Sequence, residues 1–381
     1  MENESKIKHY GYIDALRGWA ILLILVSHAD LNPLQEASWF KSLLTFGQYG
    51  VQVFFIASAL TLYSSYAQRS QIEGKNTNVL FFIRRFFRIA PIFYLGILFY
   101  SLLFVITYYY LGHASVYFGT QYTLSDLWRS VFTSFVFFNT IIPPNMPIPP
   151  GSWTVGTEMV FYAFLPLLFN KIKSLRGSIV FFFYALVGSI LIRQIFIWLA
   201  RVFLHKQIMG GWFLYHWLPS QLPVFAIGII LYYAMKINFE ISTKHKKLLS
   251  FVALFLFLFA VYLNIFHVFF PIHVLMSIPI GIIVFLMSRF KMIFFNNIFL
   301  RFLGRISFSV YISHFAINYF TSNFVNQINI DPIPAYLLRL FLLMSFSMGI
   351  SYVLYRIVEV PGINFGKKVI EWYKKKFVIT Y

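Results

Sequence analysis

The chain has 381 residues, of which 59% are hydrophobic, 21% aromatic and only 11% charged. Soluble globular proteins carry about 25% charged residues, so this composition, with a mean hydropathy of +0.73, excludes a soluble enzyme, a disordered chain and a fibrous repeat. The net charge of +19 is read as basic loops beside a bilayer, not as nucleic-acid binding, and the absence of cysteine removes disulfides, thiol nucleophiles and Cys-ligated metals.

Residues 1–10 are polar, and an apolar run holding Asp14, Arg17 and His28 follows at once. No small-residue cleavage site comes after it, so it is read as a retained first span. Further apolar runs lie near 48–66, 91–111, 153–170, 178–200, 217–235, 248–267, 271–288, 306–325 and 335–357. Each is long enough to cross ~30 Å of hydrocarbon at about 1.5 Å per residue. A shorter run, 127–142, is decided by charge. If it does not cross, one side collects 24 Lys and Arg and the other 4; if it crosses, 17 of them flip outward. The positive-inside rule selects the first arrangement. The expectation is an all-α polytopic bundle of about ten transmembrane helices with both termini cytoplasmic. Segment 127–142 is then a short re-entrant or surface piece, and the proline-rich stretch 143–150 lies outside. The whole chain, 1–381, reads as one multi-pass domain of the cell membrane, with no metal site expected.

Ionisable groups inside spans are costly and point to function. Arg17 and His28 are eleven residues apart, about three helical turns, so they share one face some ~16 Å apart along the axis. Arg17 falls near the cytoplasmic end and His28 near the outer end. Glu158 is the one carboxylate well inside a span, about two turns in from the outer face. Its depth matches that of His28, and a Glu–His pair is an acid/base unit. Arg84, Arg85 and Arg88 precede Pro91 at the cytoplasmic entrance; three arginines so close serve either lipid headgroups or a phosphate ligand. Ser307, Tyr311 and His314 follow i, i+4, i+7 and share a face that must point into the bundle. The remaining histidines lie in loops or near span ends and receive no role.

Together these residues resemble the acyltransferase-3 family of multi-pass acyltransferases, which includes bacterial glycan and lipopolysaccharide O-acetyltransferases. The resemblance covers most of the chain. It rests on Arg17 and His28 within Ile13-Asp14-Ala15-Leu16-Arg17-Gly18, on Gly50-Val51-Gln52-Val53-Phe54-Phe55, and on the arginine cluster from Arg84 to Pro91. Trp153 with Glu158, and Gly304 to His314, complete it, with Glu359 and Pro361 fitting the family's end. The chain departs from the family at Gln52, where aspartate is usual, and at Ala59, where glycine is usual.

The resemblance implies an O-acyltransferase that takes an acyl group, most often acetyl, from cytoplasmic acyl-CoA. Arg17, Arg84, Arg85 and Arg88 would hold the phosphates of CoA, and the thioester would reach His28. The acceptor would be a hydroxyl of a cell-surface or lipid-linked glycan arriving from outside. His28 would take the hydroxyl proton or carry the acyl group transiently, and Glu158 would orient His28. Asp14, Ser58, Trp153, Tyr311 and His314 are candidate supporting residues, with Ser58 and Trp153 considered for an oxyanion-hole role. No tightly bound cofactor is implied. The family core is expected to stand without the soluble hydrolase-like domain that some relatives append. A different class of function, a proton-coupled transporter, would also use a buried His/Glu pair, but no internal repeat of the transporter kind is visible.

Overall fold

The computed structural model of the protein describes residues 11–29, 38–110, 115–117, 120–142, 147–204, 212–237, 241–265 and 271–377. Residues 1–10 and 378–381 at the two ends, and residues 143–146 of the proline-rich stretch, lie outside these. The fold begins with α1 (Gly11–His28), α2 (Ser38–Thr45), α3 (Gly50–Glu73) and the long α4 (Thr77–Tyr110). It continues through α5 (Leu124–Phe135), α6 (Trp153–Lys171), α7 (Leu175–Leu204), α8 (Trp212–His216), α9 (Leu218–Lys236) and α10 (Thr243–Ile265). The last third holds α11 (Ile272–Arg289), α12 (Ile298–Arg305), α13 (Ser307–Val325), α14 (Pro332–Leu354) and α15 (Val360–Phe377). Every apolar run read from the sequence as a span coincides with one of these helices. Among the described residues, the one addition to the all-α reading is a small antiparallel hairpin, β1 (Ser115–Tyr117) with β2 (Thr120–Tyr122), in which Val116, Tyr117, Thr120 and Tyr122 are types that favour strands.

Among the described residues, six stretches are long and apolar enough to cross a membrane by length and composition: Phe40–Tyr110, Leu175–Phe203, Phe213–Lys236, Thr243–Asn264, Ile272–Arg289 and Pro332–Phe377. The first contains both α3 and α4. The helices α1, α6 and α13, of 18, 19 and 19 residues, are not among the six. These are the helices that carry Arg17 and His28, Glu158, and the Ser307–His314 stripe. The polarity needed for a site is what lowers their hydropathy.

Small residues bring these helices close, as is usual where apolar burial alone cannot drive helix association. The backbone of Gly18 on α1 meets Leu300 of α12, and Gly304 of α12 meets the Asp14 backbone; a Cβ at either position would overlap the facing carbonyl. Ala59 on α3 rests on Gly228 of α9, where an added Cβ would come within 2.6 Å. The methyl group of Ala59 is thus accommodated by a glycine opposite. Gln52 donates to Tyr215 Oη at 3.0 Å and to Gln221 Oε1 at 3.3 Å. On the periphery, Phe183, Tyr184, Phe251, Phe255 and Phe341 are exposed and form the apolar outer surface expected next to lipid.

Segment 127–142 contributes α5, whose 12 residues rise about 18 Å, too short to cross the hydrocarbon. A capping box between Thr123 and Asp126 starts it, and Phe137 with φ of 59° turns the chain just after it ends. Its outward face carries Trp128, Phe132 and Phe135, while Ser130, Thr133 and Ser134 are buried. This inside-out pattern, apolar toward the surroundings and polar toward the bundle, suits a segment dipping into the lipid.

Candidate functional site

The central position of α1 determines where the site lies. Asp14 and the glycine contacts fix its first half against α12, while α3 and α13 pack along its length. Arg17 therefore projects into the bundle, where it meets Arg85 and Arg88 from α4, one turn before the Pro91 position in the same helix. These three side chains line two cavities at once.

The inner cavity, about 80 Å³, is lined by Arg17, Ser58, Arg85, Arg88, Glu158 and Tyr311 among others. Ser58 Oγ donates to Glu158 Oε1, and Tyr162 Oη donates to the same oxygen at 2.6 Å. Arg17 and Arg85 both lie within electrostatic reach of Glu158, and the Arg85 guanidinium stands over the rings of Phe81 and Tyr162 at 5.8 and 5.9 Å. The carboxylate is thus embedded among hydroxyl donors and arginines. This corrects the pairing expected of Glu158 with His28: among the described residues Glu158 takes its hydrogen bonds from Ser58 and Tyr162. Matching depth along two spans does not make the spans neighbours. Helix α6 packs on α9, α3 and α8, whereas the flanks of α1 are taken by α12, α3 and α13.

The second cavity, about 480 Å³, lies at the N-terminal end of α1 and adds Arg69, Arg84, Arg305, Asp14 and Glu359 to the shared arginines. Arg84 is held by Glu73 in a bidentate ion pair at 2.7 and 2.8 Å, and Arg69 meets the same carboxylate at 3.2 Å. The 3-10 turn Gly74–Asn76 reverses the chain so that the end of α3 abuts the start of α4. Arg84 is therefore part of the cavity wall, while Arg85 and Arg88 reach both cavities. Glu359 sits in a π-helical turn, Tyr355–Glu359, of a kind frequent at functional sites. It accepts from Ser309 Oγ at 2.9 Å and interacts with Arg88 and Arg17. The set of donors offers a polyanion several guanidinium forks. Sequence reasoning missed Arg69, Glu73 and Arg305. The first two lie in an ordinary polar connector, and the only signal for Arg305 was its place next to Gly304.

His28 ends α1 on the opposite side. Asn318 Nδ2 donates to its carbonyl at 2.7 Å, and Tyr336 Oη donates to the Val26 carbonyl at 2.8 Å, which stakes this helix end to α13 and α14. The His28 ring lies 5.3 Å from that of His314 and 4.8 Å from that of Phe315, centroid to centroid. Tyr311 links this region to the inner cavity: its ring is 5.6 Å from His314, and its hydroxyl donates to the Gly151 carbonyl at 2.9 Å and accepts from Thr154 Oγ1 at 2.8 Å. The positive φ of Gly151, 74°, lets that carbonyl turn toward Tyr311. Trp153 is not among the residues lining the inner cavity, and its ring lies 4.0 Å from that of His216, tilted at 37°; Ser58 is in the cavity. Among the described residues no group of three or more His, Asp or Glu is spaced to hold a metal ion. The structure thus joins Arg17, Ser58, Arg85, Arg88, Glu158 and Tyr311 in one cavity, and sets His28 with His314 beyond Tyr311.

Residues 10–356 match the sequence model of a protein family described as an acyltransferase domain. No curated protein and no solved structure matches the chain.

Proposed function

The chain belongs to the acyltransferase-3 family, whose match spans nearly its whole length, and on that premise we propose that it moves an acetyl group from acetyl-CoA to a hydroxyl of a cell-surface or lipid-linked glycan. The donor enters from the cytoplasm and the acceptor from the opposite side of the cell membrane, in a bundle of ten spans with both termini cytoplasmic. The observation that carries the reading is the pair of cavities sharing Arg17, Arg85 and Arg88. A donor with phosphates at one end and a thioester at the other needs cations at the mouth and a narrow, mostly apolar passage beyond.

In this reading the phosphates of CoA meet Arg85, Arg88, Arg305 and the cytoplasmic flank of Arg17, with Arg84 shaping the wall through Glu73. The pantetheine arm passes Glu158 and Tyr311. Glu158 keeps Arg17 and Arg85 in place by charge, and Ser58 and Tyr162 keep Glu158 in place by hydrogen bonds. Neutral His28 takes the proton of the acceptor hydroxyl. The oxygen attacks the thioester carbonyl, the C–O bond forms, the C–S bond breaks, and His28 returns the proton to the departing sulfur as CoA thiol. The outer tyrosines, Tyr109 and Tyr110 among them, are exposed and offer faces for sugar rings. Transfer of labelled acetyl groups to envelope glycan by membranes carrying the wild-type protein tests the reading. Label must reach glycan, and its transfer must stop when His28 is replaced by alanine.

A further inference from the structure

Glu158 lies among arginines, so another group must orient His28. Resting on the function proposed above, we infer that His314 is the positioning residue for His28, its Nε2 accepting a hydrogen bond from His28 while that ring carries the acceptor's proton.

His314 is fully buried. Its Nδ1 faces the carbonyl oxygens of Tyr311 at 2.7 Å and Val310 at 3.2 Å. A carbonyl only accepts, so in the neutral ring Nδ1 carries the hydrogen and Nε2 keeps a lone pair. That Nε2 is buried and has no hydrogen-bond partner. The ring of His28 lies 5.3 Å from that of His314, centroid to centroid, tilted at 37°. Phe315 packs on both rings, 4.2 Å from His314 and 4.8 Å from His28. His28 Nδ1 is buried too and makes no hydrogen bond of good geometry, the Ile24 carbonyl being its backbone neighbour. The bonds from Asn318 and Tyr336 tie the end of α1 to α13 and α14.

In the resting structure the His314 lone pair has no partner. Neutral His28 already carries one N–H; when its other nitrogen takes the acceptor's proton the ring becomes charged, and a hydrogen bond from the N–H on the His314 side to that lone pair strengthens. The bond is stronger in the charged form than in the resting one, which is the condition for it to lower a barrier rather than tighten substrate binding. No proton is consumed by His314. The hydroxyl proton rests on His28 while the C–O bond forms and passes to the thiolate when the C–S bond breaks.

The test separates the two nitrogens of His314 in the full-length protein in membranes. An asparagine amide reaches the Nδ1 position and keeps the bond to the helix backbone, but offers nothing at Nε2. A glutamine amide reaches Nε2 with its oxygen. His314→Ala and His314→Asn are expected to lower kcat about 100-fold, the lower end of what a base and its support contribute, with the donor KM within about twofold of wild type; His314→Gln is expected to restore at least about tenfold of that loss. Wild-type kcat in His314→Asn, or a change confined to the donor KM, would overturn the inference. Should His314→Asn fail to accumulate, His314→Gln decides alone: a variant with wild-type melting temperature and no gain over His314→Ala overturns it. His28→Ala is measured in parallel. Full activity there sinks the proposed function itself, whereas an inactive His28→Ala beside a fully active His314→Asn removes only the role of His314.

Discussion

Replacing Arg84 and Arg88 by alanine, one at a time, separates two duties that the sequence assigns to one cluster. Arg84 makes two contacts of 2.7 and 2.8 Å with a carboxylate whose side chain is only 4% exposed. Its loss leaves Glu73 with Arg69 alone, at 3.2 Å. A charge-assisted pair of this burial contributes about 1.5–3 kcal/mol, so at about 2–4 °C per kcal/mol the melting temperature should fall by roughly 3–12 °C. In the proposed function Arg88 meets a donor phosphate, a contact also worth about 1.5–3 kcal/mol. At about 1.4 kcal/mol per tenfold, its loss should raise the donor KM roughly 10–100-fold. The assay is initial rate against acetyl-CoA concentration in proteoliposomes, with melting followed in detergent. Arg84→Ala should melt early with a donor KM near wild type, and Arg88→Ala should show the reverse. Equal rises in KM for both variants, or an unaltered KM in Arg88→Ala, would refute the division of roles.

Two other outcomes follow from the geometry. Glu158→Gln keeps an oxygen for Ser58 and Tyr162 but removes the charge facing Arg17 and Arg85, so kcat/KM should fall by at least about tenfold with melting little altered; activity equal to wild type would show that the charge is idle. Gly304→Val drives a side chain into the Asp14 carbonyl and parts α12 from α1, costing about 3 kcal/mol or more, so the protein should elute as aggregate in size-exclusion chromatography, and a monodisperse peak would contradict the close packing.

The helical runs were legible because apolar stretches of this length have few alternatives. The Arg17–His28 stripe was legible because both sit on one uninterrupted helix, where spacing alone fixes the face. The partner of Glu158 was not. Depth in the bilayer is a one-dimensional measure, and partnership depends on which helices touch, which close glycine contacts such as Gly18 with Leu300 decide. The hold of Glu73 on Arg84 was hidden for a related reason. Eleven residues separate them in sequence, and only the tight turn at 74–76 brings them together. His314 was visible as a polar residue on an inward face, but its tautomer and its neighbour His28 required the packing of α13 on α1.

The measurement that bears most directly on the central claim is transfer from radiolabelled acetyl-CoA in membranes carrying wild-type protein or His28→Ala, with the cell's own envelope glycans as acceptor. The account predicts label in glycan with wild type and background label with His28→Ala at equal protein levels. Equal label with both would contradict it.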